Sequence, residues 1–399
     1  MTKNIVKYLA NYAEPEIAAL EQHFPKQCFA YAVVVPAYKE TSDFISHVKN
    51  SALSTKNALF IFVINQPDTD INSQPQQLLL HAIESMGKVI WQVNNLTLVA
   101  IESLRLLVVD RFTTPIPVKQ GVGLARKIGA DIALALMQKG SVSSRLIHST
   151  DADVKLPNNY FSALNNLPAR ISGACYNFSH SSTDKLVHDA NQQYEQALRY
   201  YVSGLRYAGS HYAYFTIGST LVFDAESYAS VRGFPKRSAG EDFYLLNKLA
   251  KLGSIEFIEN STLAINARLS DRVPFGTGPA VGQIIALEQA GECYHYYHPE
   301  VFNELKQLLC HSAQLWTYRE DLPHWLNDLS NESAKALSLI GFEGFVAKHI
   351  KHNQTQFNKQ WLVWFDAFKT LKFIHALRDI AFPNMPLSSA LSLAPFTTR

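Results

Sequence analysis

The chain is poor in cysteine. Cys28, Cys175, Cys293 and Cys310 stand far apart among 399 residues and never form a CxxC pair. That spacing argues against a disulfide framework or a zinc site and fits a reducing cytoplasm. Long apolar runs are missing too. The longest, residues 58–65, is strand-sized and well short of the roughly 18 residues that span a bilayer. The opening stretch, MTKNIVKYLANYAEPEIAAL, has neither the uninterrupted apolar core nor the small-residue cleavage site of a signal peptide. A cytoplasmic protein is expected, with peripheral contact to the inner face of a membrane left open. Net charge is nearly absent as well: a formal +2 gives no concentrated basic face, and so no expectation of a nucleic-acid partner.

What is present is a composition able to bury a core, with 47% hydrophobic and 18% charged residues. The length allows one large domain and a smaller one. Residues 4–24 carry apolar side chains at helical spacing, broken near Pro15. From residue 31 the period changes. The continuous runs YAVVV (31–35), ALFIFVI (58–64) and 104–109, with a shorter one at 145–148, predict strands buried on both faces. Helices are predicted between them over 40–54, 74–86 and 123–137, with a less regular stretch just before 104. Strands alternating with helices predict βαβ units and a mostly parallel sheet flanked by helices. Further strands are expected at 171–176, 220–223 and 255–258, and helices at 188–207 and 240–252. From about residue 279 every signal is helical, including 301–310 and 358–377. The expected organisation is an N-terminal helical segment (1–30), an α/β domain (31–278) and a helical C-terminal region (279–399).

Several short motifs carry chemistry. Asp151-Ala152-Asp153 falls where the fourth strand ends. In an extended segment positions i and i+2 share a side, so both acids converge on one ligand. In open α/β sheets that ligand belongs beyond the carboxyl ends of the strands. Carboxylates at this spacing suit Mg²⁺ or Mn²⁺, with substrate phosphate oxygens completing the shell. The plainer alternative is an Asx turn or cap before Pro157; the position after a buried strand favours the ligand site. Glu241-Asp242 opens an apolar helix, where the helix dipole favours acids in any case. Its functional reading is a general base, an ionised carboxylate within reach of an acceptor hydroxyl. Gly121-Val122-Gly123-Leu124-Ala125-Arg126 looks like the start of a dinucleotide fingerprint, yet it has Arg126 where glycine or alanine belongs and follows the third strand, not the first. An arginine in the first turns of a helix can face an anion, or can simply lie on the surface. Arg268 and Arg272 precede the glycine-rich stretch PFGTG (274–278) and can grip a diphosphate or an anionic acceptor. Salt bridges to Asp271 in a solvated loop would account for them equally well.

Taken in order, these pieces resemble the family 2 glycosyltransferases. VVVPAYKE (33–40) is similar to that family's opening strand and Pro-Ala-Tyr-Asn-Glu, with Lys39 in place of asparagine. GVGLARKIG (121–129) is similar to its G-x-A-R-N-x-G helix start, with Lys127 in place of asparagine. Residues 150–153 carry the DxD. Gly218-Ser219, VRGF (231–234) and Glu241-Asp242-Phe243 resemble the acceptor-side stretch that ends in the ED motif. The likeness covers roughly residues 31–266. One departure stands out. The family's second strand usually ends in an acidic pair that contacts the nucleotide base, and INQPDTD (64–70) has Asn65 at the first of those positions.

The resemblance implies an inverting glycosyltransferase of GT-A fold, acting on a nucleotide-sugar donor and an acceptor the sequence does not name. It implies Mn²⁺ or Mg²⁺ at Asp153 with Asp151 nearby, and Asp242 as base with Glu241 beside it. It places Pro36, Ala37, Tyr38, Glu40, Asn65, Arg126, Asp151 and Gly218 around the donor, to which Arg268 and Arg272 add candidates from their own chemistry. A sugar nucleotidyltransferase would share the sheet and the Mg²⁺, but it needs a glycine-rich loop directly after the first strand, where this chain has PAYKE. A non-catalytic sugar- or nucleotide-binding module has no use for a base, so DxD and ED together argue against one.

Overall fold

The computed structural model describes every residue except Met1, His23, residues 270–275 and Arg399. The chain divides into two compact units, one made of Met1–Thr183 and Thr216–Pro279, the other of Asp184–Phe215 and Ala280–Arg399. Residues 184–215 therefore belong with the C-terminal helices and not within a 31–278 domain. Residues 1–30 are part of the first unit and do not stand apart.

The first unit is α/β. Its sheet has ten strands: β1 (Tyr31–Ala37), β2 (Ala58–Pro67), β3 (Lys88–Val93), β4 (Leu96–Ile101), β5 (Leu104–Ile116), β6 (Leu146–Ser149), β7 (Val154–Lys155), β8 (Gly173–Ser181), β9 (Leu221–Asp224) and β10 (Ile255–Asn266). Their spatial order is β3-β4-β5-β2-β1-β6-β9-β8-β10-β7. The centre, β5-β2-β1-β6, is parallel, as alternating strands and helices lead one to expect. β8 and β10 also pair in parallel. β9 runs antiparallel between β6 and β8, and β3, β4 and β7 add antiparallel edges.

The apolar runs of β1 and β2 are continuous because both faces are covered: Val33, Val34, Val35 and residues 59–64 are all buried. Pro36 is tolerated in this central strand because the β1–β6 register ends at Val34–Ser149, so its missing N–H falls beyond the last pair. The β3–β4 hairpin fills the stretch that looked irregular in sequence and turns at Asn94, which adopts a left-handed φ of 53°.

Helices α1 (Lys3–Asn11), α2 (Asp43–Lys49), α3 (Gln74–Met86) and α4 (Gly121–Gln138) precede β7, and α6 (Ala225–Ser230) and α7 (Glu241–Leu249) follow later, with α5 (Lys185–Tyr207) in the second unit. α4 is buried from Gly123 to Met137. It lies on β1, β2, β5 and β6, and α1 with the 3₁₀ stretch Pro15–Glu21 covers it from outside. Gly129 permits this approach, because a Cβ there would come within 2.4 Å of Val34 Cγ1. The outer face of α4 carries a buried ion pair, Lys127 Nζ to Asp131 Oδ2 at 2.7 Å. Lys127 also donates to Tyr8 Oη and the Tyr12 carbonyl, while Asp131 accepts from the Tyr8 and Tyr228 hydroxyls and the Glu14 N–H. With its remaining donors and acceptors satisfied, the pair fastens the N-terminal segment to α4.

The second unit is helical apart from a two-stranded ribbon, His295–Tyr296 with Met385–Pro386. Its core gathers Tyr200 and Leu205 of α5 with Phe302, Trp325, Phe345 and Phe373. The stretch 358–377, which reads as one helical signal, is two helices, Gln354–Trp364 and Ala367–Ile380. The second starts at Asp366, whose carboxylate caps it by accepting from the Phe368 and Lys369 N–H groups. Among the described residues no helix is long and apolar enough to cross a membrane. No disulfide joins any of the four cysteines.

Candidate functional site

β1 and β6 are parallel neighbours, so the chain leaves both at the same edge of the sheet. Tyr38, Lys39 and Glu40 follow β1; Thr150, Asp151 and Asp153 follow β6. The DxD is not the extended segment that its i, i+2 spacing predicts. β6 stops at Ser149, and Ala152 and Asp153 form a turn. The two acids are consequently held by two different arginines.

The first is Arg126 of α4. It is buried, with its guanidinium aimed back toward the strand ends. Nη2 donates to Asp151 Oδ1 at 2.7 Å, Nε to Glu241 Oε1 at 2.9 Å, and Nη1 to Ser149 Oγ at 3.0 Å. Burial alone would weaken its charge, but Asp151 and Glu241 hold its proton more tightly than usual. Arg126 is thus not a surface arginine; its fork joins the DxD turn to the start of α7. Gly218 makes room for it, since a Cβ at that position would lie 2.5 Å from Arg126 Nη2. The glycines at the start of α4 serve a similar end. Gly123 N–H donates to the Arg237 carbonyl at 2.9 Å, and Cβ atoms at Gly121 or Gly123 would collide with residues 235–238. The helix N-terminus therefore docks the loop that leads into Glu241-Asp242.

The second is Arg268, just beyond β10. Its Nη2 contacts Glu40 Oε1 and lies 3.0 Å from Asp153 Oδ2. Asn266 N–H donates to the Asp153 carbonyl at 3.0 Å, fixing β10 to the same turn. Arg272, the other arginine of this segment, lies outside the described residues.

Tyr38 turns toward the end of β2. Its hydroxyl donates to Asp70 Oδ2 at 2.6 Å, and Lys39 Nζ reaches the same oxygen at 3.0 Å. The bond from Tyr38, then the Asn72 N–H and Lys39, hold the Asp70 carboxyl down to about 2. Asp70 is a site residue that sequence reasoning misses, although it lies within INQPDTD. Pro67 and Asp68 mark a turn there, but nothing in the string says that it brings residue 70 back beside Tyr38. Asn65 is buried at the end of β2, and its Oδ1 has no hydrogen-bond partner among the described residues. A buried, unanswered acceptor is costly unless something donates to it. Pro36 and Ala37 are buried within β1 and shape the site from beneath.

Glu241 and Asp242 divide their roles by rotation. Glu241 faces inward onto Arg126 and is buried, whereas Asp242 is half-buried. The Asp242 carboxyl is pushed up to about 7, first by burial and then by the Glu241 charge. Cys175, in the buried floor of β8, lies close enough for Asp242 to help raise its thiol.

Among the described residues no group of three or more His, Cys, Asp or Glu side chains is arranged to hold a metal ion. Asp151 and Asp153 nevertheless give two carboxylates at one strand end. Those are the residues that would hold a hard divalent ion, were one to take its other ligands from phosphate and water as Mg²⁺ usually does.

No family model matches the sequence, and no curated protein matches it. Solved structures that it is similar to include S. aureus TarS 1-349 in complex with UDP-GlcNAc, 10% identical over 88% of this chain and 90% of that one, with a TM-score of 0.40. The same TarS fragment with UDP is 11% identical over 88% and 89%, with a TM-score of 0.38. S. aureus TarS itself is 9% identical over 83% of this chain and 54% of that one, with a TM-score of 0.34. At such likeness the function has to be argued from the site.

Proposed function

We propose that the chain is a glycosyltransferase of GT-A type that moves a sugar from a nucleoside-diphosphate donor to an acceptor hydroxyl with inversion at the anomeric carbon. The observation that carries this reading is the convergence on one buried guanidinium of two acidic motifs, Asp151 of the DxD and Glu241 of the ED. A binding module has no need to hold a second carboxylate, Asp242, beside that pair with its pKa moved toward neutrality.

Each group then has a task. Asn65 Oδ1 accepts an N–H of the base, and Tyr38 with Lys39 and Asp70 walls that side. Asp151 and Asp153 hold Mn²⁺ or Mg²⁺. Such an ion supplies charge neutralisation to the departing diphosphate. Asp242 takes the proton of the acceptor hydroxyl while that oxygen forms its bond to the anomeric carbon, and the carbon–phosphate-oxygen bond breaks on the opposite face. Glu241 and Arg126 set the position of Asp242 and do not touch the reacting atoms. The acceptor hydroxyl belongs to a glycan, a lipid-linked saccharide or a small molecule.

The test is slow hydrolysis of a panel of UDP-, GDP- and TDP-sugars with Mn²⁺, followed as release of nucleoside diphosphate. One donor class should turn over above background, and Asp242→Asn should abolish that turnover while keeping nucleotide binding. Absence of both binding and turnover across the panel would overturn the reading.

A further inference from the structure

We propose that Arg268 is a diphosphate ligand held in store: it rests as a resident cation between Glu40 and Asp153, and a divalent ion taking Asp153 hands it to the donor. The proposal rests on the glycosyl-transfer reading and adds to it a coupling between metal and donor.

One terminal nitrogen of Arg268 faces two carboxylates, one arriving from β1 and one from β6. The backbone that carries it is fixed to the DxD turn two residues earlier, through the Asn266 N–H and the Asp153 carbonyl. The side chain itself is only half-buried, 34% exposed. A cation therefore already sits at Asp153, and a divalent ion must compete with it. The apparent metal affinity is lowered by the share of molecules in which the pair is closed. With Arg268 34% and Asp153 20% exposed, water reaches the pair and screens it in part, so a divalent ion can compete for Asp153. Once displaced from Asp153, Arg268 still has Glu40 as a tether, stays at the strand ends, and presents a planar fork suited to phosphate oxygens. Arg126 is less suited to this part, because it is enclosed and each of its three nitrogens is already engaged, with Asp151, Glu241 and Ser149.

The prediction is a pair of opposite effects from one substitution. With Mn²⁺ alone, followed by electron paramagnetic resonance, Arg268→Gln should bind the ion about five- to tenfold more tightly than wild type. Arg268→Lys, which keeps a competing cation, should stay near wild type. With inorganic pyrophosphate and saturating Mn²⁺, followed by calorimetry, Arg268→Gln should bind about tenfold more weakly. Guanidinium ¹⁵N resonances offer a third reading on the unaltered protein, since adding Mg²⁺ should shift the Arg268 signal. Unchanged Mn²⁺ affinity in Arg268→Gln, unchanged pyrophosphate affinity, or an unmoved Arg268 resonance each overturns the exchange. If Asp153→Asn binds Mn²⁺ as wild type does, the metal site falls and the exchange with it. Loss of the opposite effects while a nucleotide sugar is still turned over would leave glycosyl transfer standing. Opposite effects without any donor turnover would do the reverse.

Discussion

Arg126 Nε donates to Glu241 Oε1 at 2.9 Å although the two residues are 115 positions apart in the chain. Both are buried, so the pair is stable only while both charges are present. Arg126→Met should therefore destabilise the fold by about 3–5 kcal/mol, because Glu241 and Asp151 would lose their partner together. Arg126→Lys keeps the charge but not the fork and should do less harm. Urea unfolding at neutral pH measures both. A loss for Arg126→Met no larger than that of a surface substitution would mean that the two motifs are not joined in this way.

Asp242 should be the residue whose ionisation sets the acid side of the rate profile. Its carboxyl is pushed up to about 7, so turnover should fall as the pH drops through that value. Asp242→Asn should cut turnover by about two orders of magnitude or more with nucleotide affinity preserved. Glu241→Gln should act mainly on stability, leaving more turnover per folded molecule than Asp242→Asn does. The reverse ranking in kcat would transfer the base to Glu241.

The same group makes a prediction about stability of opposite sign to the usual carboxylate case. A folded pKa above the unfolded one means that the native state holds the proton more tightly, so this contribution is present at low pH and lost as the pH rises through about 7. Asp242→Asn should thus gain stability over wild type at pH 8 more than at pH 5, read from unfolding midpoints at the two pH values. An equal effect at both would show that Asp242 titrates normally.

His148 should provide the contrary limb. Its ring is fully buried beside Tyr31, Tyr160 and Phe161, and neither nitrogen has a partner among the described residues. Burial pushes its pKa down to about 3. The unfolded chain binds that proton first, so stability is lost as the pH falls from about 6.5 toward 3. His148→Phe should flatten this part of the stability profile. A profile as steep as that of wild type would place the acid sensitivity elsewhere.

Gly218→Ala should disturb the Arg126 network without altering any of its members. The new Cβ would sit 2.5 Å from Nη2, so the guanidinium must shift, at a cost of about 1–3 kcal/mol. Gly282→Ala, a helical site with nothing within 4 Å, is the control and should be neutral or stabilising by about 0.5–1 kcal/mol. Thermal melts of the two variants make the comparison, and a Gly218→Ala protein as stable as wild type would contradict the close packing.

Much of the sheet could be read from sequence because its central strands are covered on both faces, and a short continuous apolar run fits few places but a doubly covered strand. α3 was legible to the residue, Gln74–Met86, since its amphipathic period is complete. The β3–β4 hairpin was not. β4 carries an apolar run, LTLVAI, but its partner β3 lies on the edge with Lys88, Val89 and Gln92 exposed and shows no clean period, and the turn at Asn94 looks like any polar stretch. The candidate site divided along similar lines. Which residues are candidates for the chemistry followed from their order in the chain, but their partners did not. A helix that is buried all round, as α4 is, hides the direction of Arg126, and a pairing across 115 residues leaves no local trace. Lys127, which in sequence only replaces the asparagine of the motif it resembles, is accounted for by Asp131 and by Tyr8 and the Tyr12 carbonyl, groups from a segment with no motif of its own.

The interleaving of the two units bears on how the protein is made. α5 leaves the ribosome before β9 and β10 of the first unit, yet the residues that cover it come much later: Tyr200 gives its hydroxyl to the carbonyl of Tyr297, 97 residues on. At a synthesis rate of about 5–20 residues per second, the apolar side of α5 waits roughly 5–20 s for its cover. Through that interval the nascent chain presents Tyr200 and Leu205 before the later members of their core have been made. A chain ended at residue 279 never passes beyond that stage, so trimming the C-terminal helices would strand α5 instead of freeing a self-sufficient α/β unit.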